Sequence, residues 1–209
     1  SVEVVLGKSL TTNWQTSSKH PVAHIDLHSL ADSYHLQDHS IKSQMVFPFA
    51  LAIKCMQRYC EDVFASQKVS EFFDIKNCKG LKIKAKDSNQ SQFVSIGIKK
   101  QEDKKESRQV EVQIFDQQFV YYKAWVVISS QKQASTQAPK ALMQFATQKK
   151  WYDGEVLFHG PRFQVLSAFQ GEASTQAAAQ LSVHTPQISA NPYALDGALQ
   201  AAVLQHWQK

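Results

Sequence analysis

Glycine, proline and cysteine are all scarce in this 209-residue chain, at seven, six and three residues. So few glycines exclude a collagen-like fibre. None of them builds a phosphate-cradling loop or a Gly-x-Ser-x-Gly nucleophile elbow. The three cysteines, Cys55, Cys60 and Cys78, are odd in number and form no Cys-x-x-Cys pair. That excludes a disulfide framework and fits a reducing, cytoplasmic setting. No apolar run reaches the ~20 residues that cross a bilayer; the longest are Val46–Ile53 and Phe119–Ile128, the second broken by Lys123. No basic-then-apolar leader opens the chain. An excess of one charge is missing too, with 23 basic against 18 acidic residues and a net +5. Lys82, Lys84 and Lys86, and Lys99, Lys100, Lys104 and Lys105, have no aromatics interleaved for base stacking. They read as solvated sheet edges, so neither nucleic acid nor a membrane is an expected partner.

What remains is a globular composition, 43% apolar and 20% charged, long enough for one large domain or two small ones. The chain starts at Ser1, which leaves room for a larger parent. Val2–Leu6 and Val22–Leu27 read as strands, and Ser33–Met45 as a loop. A helix is expected from Pro48, whose missing N–H costs nothing in a first turn. Ala52, Met56, Tyr59, Cys60, Val63 and Phe64 recur at helical spacing behind it, and its first two turns are apolar nearly all round, so it should be buried. Strands follow at Val69–Ile75, Leu81–Ala85, Phe93–Ile98, Val110–Phe115 and Phe119–Ile128, arranged as an antiparallel meander, with the last of them mid-sheet. Residues 131–150, rich in glutamine, read as a linker. The pattern then repeats. Phe163–Phe169 and Ala177–Val183 are strand candidates. A helix follows, capped by Asn191 with Pro192 at its first position and an apolar face of Leu195, Ala198, Leu199, Ala202, Val203 and Trp207. The expected organisation is an N-terminal half over residues 1–130, the linker, and a second half over residues 151–209 that lacks the strands following the first helix.

Two places carry chemistry. His39 stands just upstream of the first helix. Asp196 lies in the first turn of the second, with Gln200 four residues on and therefore on the same face. Burial raises a carboxyl's pKa and suits it to donate a proton, whereas an imidazole near 6.5 is suited to take one. His35 and His39 have the spacing of helix-borne zinc ligands but lack the glutamate of His-Glu-x-x-His, so no metal site is expected there.

These residues stand in a recognisable frame. His39 and Pro48 match His-x3-Gly-x4-Pro, with Ser43 in place of the glycine. Asp196 and Gln200 match Asp-x3-Gln. His159-Gly160-Pro161-Arg162-Phe163 matches Tyr-Gly-Pro-x-Phe, with His159 in place of the tyrosine. In these motifs the chain resembles the dehydratase domains of polyketide synthases and polyunsaturated fatty acid synthases. The Phe-His-Gly-Pro-Arg-Phe wording is closest to the iterative and polyunsaturated fatty acid type. The resemblance implies an α+β double hotdog, two tandem halves each wrapping an antiparallel sheet around one long helix. It implies dehydration of a 3-hydroxyacyl thioester on an acyl carrier protein, with His39 as base, Asp196 as acid and Gln200 orienting it. The backbone N–H at Ser43 would bind the thioester carbonyl, and Pro48, His159, Gly160, Pro161 and Phe163 would line the substrate site. No metal or organic cofactor is implied. The partners implied are the carrier protein and the other synthase domains, with a homodimer allowed by analogy alone. Two alternatives stay open: a non-catalytic acyl-binding scaffold, and a cyclase like the product-template domains.

Overall fold

The computed structural model describes residues 21–65, 67–85, 91–130, 151–172, 176–182 and 191–207. The strand expected at Val2–Leu6 and the linker at 131–150 lie outside the described residues.

The first half is one antiparallel sheet around one helix. Strand β1 (Ala23–Asp26) leads directly into helix α1 (Leu27–Ser33), and a short hairpin of β2 (Ser40–Ile41) and β3 (Gln44–Met45) follows. The sequence pattern marks no helix before Pro48 and reads residues 33–45 as a loop. Helix α1 is hidden from it because the capping signal is a single Asp26, whose carboxylate accepts from the backbone N–H groups of His28 and Ser29. Helix α2 (Phe49–Val63) buries Leu51, Met56, Tyr59 and Cys60 among others. Pro48 precedes it as an extended N-cap rather than forming its first turn.

Strands β4 (Lys68–Asn77), β5 (Phe93–Asp103), β6 (Arg108–Phe115) and β7 (Val120–Ser129) complete the sheet in the order β1-β5-β6-β7-β4. Val110, Val112 and Ile114 on β6 and Ala124, Val126 and Ile128 on β7 are buried, and their alternation turns one sheet face onto α2. Strand β7 lies mid-sheet, between β6 and β4, as its apolar content implies. Strand β5 runs past Ile98 through Lys99 and Lys100 to Asp103, and residues 104–107 turn into β6. One correction applies. Leu81–Ala85 is not a meander strand. It bridges back to Val46, with Phe47 N–H donating to Leu81 O (2.8 Å) and Ile83 N–H to Met45 O (3.0 Å). Leu81 and Ile83 still point into the core, which is why the alternation resembled a sheet strand.

The second half repeats the theme on a smaller scale. Strands β8 (Leu166–Glu172) and β9 (Gln176–Leu181) form a hairpin against helix α3 (Pro192–Trp207), which also packs on α2. Asn191 caps α3 by accepting from Tyr193 N–H at 2.9 Å. Residues 161–163 form a 3-10 turn where the start of a strand was expected. The inward face of α3 also differs from the expected apolar one. Asp196, Gly197, Gln200, Ala201 and Leu204 are buried, whereas Ala198, Ala202 and Val203 are exposed. The helix turns its polar pair inward.

Candidate active site

His39 sits at the end of a 3-10 turn (Leu36–Asp38) whose carbonyl at Leu36 accepts its backbone N–H at 2.9 Å. The ring is held from the other side. Nδ1 lies 2.9 Å from the Val46 carbonyl oxygen, and Val46 N–H donates to His39 O at 3.1 Å. A carbonyl only accepts, so the proton is on Nδ1 and the Nε2 lone pair is free. That lone pair faces α3, with Nε2 3.9 Å from Asp196 Oδ1.

Asp196 lies a turn deeper in α3 than expected, since the first turn holds no acidic residue. Gln200 Nε2 donates to Asp196 Oδ2 and to Phe163 O, each at 2.8 Å. The Gln200 carbonyl accepts from Tyr152 Oη at 2.8 Å, and Tyr152 Oη accepts from Leu166 N–H at 3.0 Å. Each polar atom of the Gln200 amide is therefore engaged, and its orientation is determined. Gly197 lets α3 come this close to the hairpin: a Cβ there would meet Val165 Cγ2 at 2.6 Å and Leu181 Cδ2 at 2.8 Å.

His159 enters as a third polar group, its Nε2 3.4 Å from Asp196 Oδ2. It stacks on Phe158 at 4.1 Å between ring centroids, and Phe158 also lies edge-on to His39 at 5.1 Å. Phe163 packs against His39 at 5.2 Å. The loop carrying His159 is fastened to the residue before His39. Gly160 N–H donates to Asp38 O at 2.7 Å, and Arg162 N–H donates to Asp38 Oδ2 at 2.9 Å. Only glycine fits there, because a Cβ on residue 160 would lie 2.9 Å from Asp38 Cα. The two halves thus meet through Asp38 at the point where the three side chains converge.

The site is buried: His39, His159, Asp196 and Gln200 are 7%, 8%, 4% and 2% exposed. Burial therefore decides the protonation states. It lowers the pKa of His39 against the pull of Asp196, and raises that of Asp196 against the pull of His39 and the Gln200 amide. His159 is lowered to about 3, by burial first and by His39 second. Burial thus favours a neutral imidazole at His39 and shifts the facing Asp196 carboxyl toward its protonated form.

The expected site residues divide into three groups. His39, Asp196, Gln200, His159, Gly160 and Phe163 come together. Pro48 is buried at the start of α2, and Pro161 is exposed on the 3-10 turn. Ser43 is exposed in the turn between β2 and β3, with φ +64° beside Lys42 at +49°. The positive φ is what a glycine in that motif position would adopt without strain. Among the described residues, the hydrogen bonds and ion pairs that hold His39 and Asp196 do not include Ser43. Three contributors are given no site role by the sequence: Asp38, Tyr152 and Phe158. Asp38 and Phe158 leave a signal, each as the neighbour of a motif histidine, and Tyr152 leaves none.

No family model matches the chain. It is 27% identical, over 96% of its length, to a polyunsaturated fatty acid synthase subunit from Thraustochytrium sp. (strain ATCC 26185 / S-3), and spans 8% of that protein. Solved structures with the same fold include the dehydratase domain of RzxB from Pseudomonas fluorescens (TM-score 0.64, 14% identity, 95% of this chain and 75% of that one). The dehydratase domain of PpsC from Mycobacterium tuberculosis, solved in complex with C12:1-CoA, is also similar (TM-score 0.60, 18% identity, 92% of this chain and 73% of that one). The chain thus has the double-hotdog fold of the polyketide synthase dehydratase domains and is similar in sequence to part of a polyunsaturated fatty acid synthase.

Proposed function

We propose that the chain is the dehydratase part of a multidomain synthase and removes water from a 3-hydroxyacyl thioester carried by an acyl carrier protein. The observation that carries this reading is the His39–Asp196 pair: Nε2 at 3.9 Å from Oδ1, with Nδ1 engaged by Val46 and Oδ2 by Gln200. Elimination needs a base for the proton on C2 and an acid for the hydroxyl on C3, both oriented and both shielded from water. His39 Nε2 takes the C2 proton, and the electron pair is held as enolate character on the thioester. The C2=C3 bond then forms as the C3–O bond breaks, and Asp196 protonates the departing hydroxyl to water. The step leaves a protonated His39 beside an ionised Asp196. Returning that proton from Nε2 to the carboxylate restores the starting state.

Similarity to a polyunsaturated fatty acid synthase, and to a dehydratase domain bound to an acyl-CoA, supports an acyl thioester as the substrate class. The test is to mix the protein with a 3-hydroxyacyl pantetheine thioester and follow the enoyl product. Enoyl thioester forming at a rate proportional to protein is the expected result. A folded protein that binds the thioester and releases no enoyl product would place the chain among non-catalytic acyl-binding scaffolds.

A further inference from the structure

His39, His159 and Asp196 do something together that neither the base nor the acid does alone. Their nearest donor atoms all lie within 4.8 Å of one another, and all three side chains are buried. Two imidazole nitrogens and one carboxylate oxygen form a donor set for a first-row transition metal. A tetrahedral zinc ion with bonds of about 2.0–2.1 Å holds its ligand atoms about 3.4 Å apart. His159 Nε2 and Asp196 Oδ2 are already 3.4 Å apart, and His39 Nε2 is 3.9 Å from Oδ1. The widest separation in the set is at most 4.8 Å, so closing it around one ion takes a shift of at most about 1.4 Å.

The surroundings also resemble those of a metal site. A ligating histidine usually donates its other ring N–H to a carbonyl, which fixes the tautomer, and His39 Nδ1 does this to Val46. The ligating carboxylate is usually hydrogen-bonded in turn, and Gln200 provides this for Asp196. His159 Nδ1 is buried and has no partner, so His159 is held by stacking on Phe158 rather than by a hydrogen bond. Sequence spacing hides the cluster, because its members sit on three distant segments. The tyrosine expected at position 159 would bring a weakly coordinating phenol, and the histidine found there supplies the third ligand.

We propose that His39, His159 and Asp196 bind a zinc-class divalent ion, leaving a fourth position open, and that the bound ion inhibits dehydration by occupying the nitrogen and oxygen the reaction needs. The binding stands independently of the dehydratase reading, and only the inhibition rests on it.

The test is calorimetric titration of chelator-stripped protein with zinc chloride at neutral pH. One ion per chain is expected. His159→Gln and Asp196→Asn should each weaken it by about 100-fold or more, and Gln200→Ala by roughly 10- to 100-fold. Cys78→Ser, which removes the exposed thiol, should leave it unchanged. Cobalt(II) added to the unaltered protein should give visible d–d bands with no thiolate charge-transfer band, a readout that needs no variant to fold. Absence of stoichiometric binding overturns the site. So does a His159→Gln protein, folded by circular dichroism, that binds zinc as tightly as the parent, and so does a thiolate band with cobalt. Zinc that binds at this site without slowing enoyl formation overturns the inhibition. Zinc that binds in a protein with no dehydration to slow supports the site and counts against the dehydratase reading instead.

Discussion

The proposed elimination depends on the protonation of Asp196 and His39, and burial shifts both in the direction it needs. Elimination requires His39 unprotonated, so the rate falls on the acid side, at a pH below the ordinary imidazole value of 6.5 because the folded pKa is lowered. It requires Asp196 protonated, so the rate falls on the alkaline side, at a pH above the ordinary carboxyl value of 3.8 because the folded pKa is raised. The pH profile of turnover should be a bell between those limits. The Gln200 amide pulls the Asp196 pKa down, so Gln200→Ala should move the alkaline limb to higher pH. The same change leaves Tyr152 Oη and Phe163 O without their partner, costs about 1–3 kcal/mol of positioning and stability, and lowers kcat about tenfold or more. A lowered kcat with an unmoved alkaline limb would separate Gln200 from the carboxyl's titration. At this scale the sequence is most legible, because motif spacing marks residue identity. It marks His39, Asp196, Gln200 and His159, with Phe158 beside the last, and it misses Tyr152, whose contact with Gln200 arises only from where the chain folds back.

Elements bring these residues into range, and two of them are held by backbone constraints that are simple to test. The loop at residues 158–163 meets the turn before His39 through Gly160 and Asp38. Gly160→Ala would push a Cβ to within 2.9 Å of the Asp38 backbone, so the contact must open. We expect a loss of about 1–3 kcal/mol in stability with a larger proportional loss in turnover, read by urea unfolding and by assay. Intact turnover would mean that the Asp38 contact does not position His39. The hairpin of β2 and β3 turns through Lys42 and Ser43 with positive φ at both, the type I′ geometry that favours glycine and asparagine. Ser43→Gly should therefore raise stability by roughly 1 kcal/mol, and a fall in the urea midpoint would contradict the strain assigned to Ser43. Helices α2 and α3 and the long strands are legible from periodicity. Leu81–Ala85 misleads because alternating burial does not say which segment a strand pairs with. On α3 the apolar residues are numerous enough to suggest an apolar inward face, yet the buried face carries Asp196 and Gln200. The site overrides simple amphipathicity there.

Over the whole molecule, a protein that buries neutral imidazoles should be sensitive to acid. Unfolded, His159 and His39 titrate near 6.5; folded, His159 is lowered to about 3 and His39 is lowered as well. The unfolded chain binds more protons in that window, so this contribution is complete above pH 6.5 and is lost as pH falls through the folded values. Asp196, raised by burial, acts in the opposite sense: it favours the fold at low pH and withdraws that support as pH rises. With two imidazoles against one carboxyl, the urea midpoint should drop from pH 7.5 to pH 4.5, and drop less in His159→Gln; an equal drop would remove His159 from the acid response. All of these effects meet where Asp38 joins the two halves and His39 of one lies beside Asp196 of the other. The central claim is that this pair removes water from a 3-hydroxyacyl thioester. It is tested most directly by measuring enoyl thioester formation by the parent protein, His39→Ala and Asp196→Asn side by side, each checked for fold. The account predicts product from the parent and at least a hundredfold less from either variant. Undiminished product from either folded variant would contradict it.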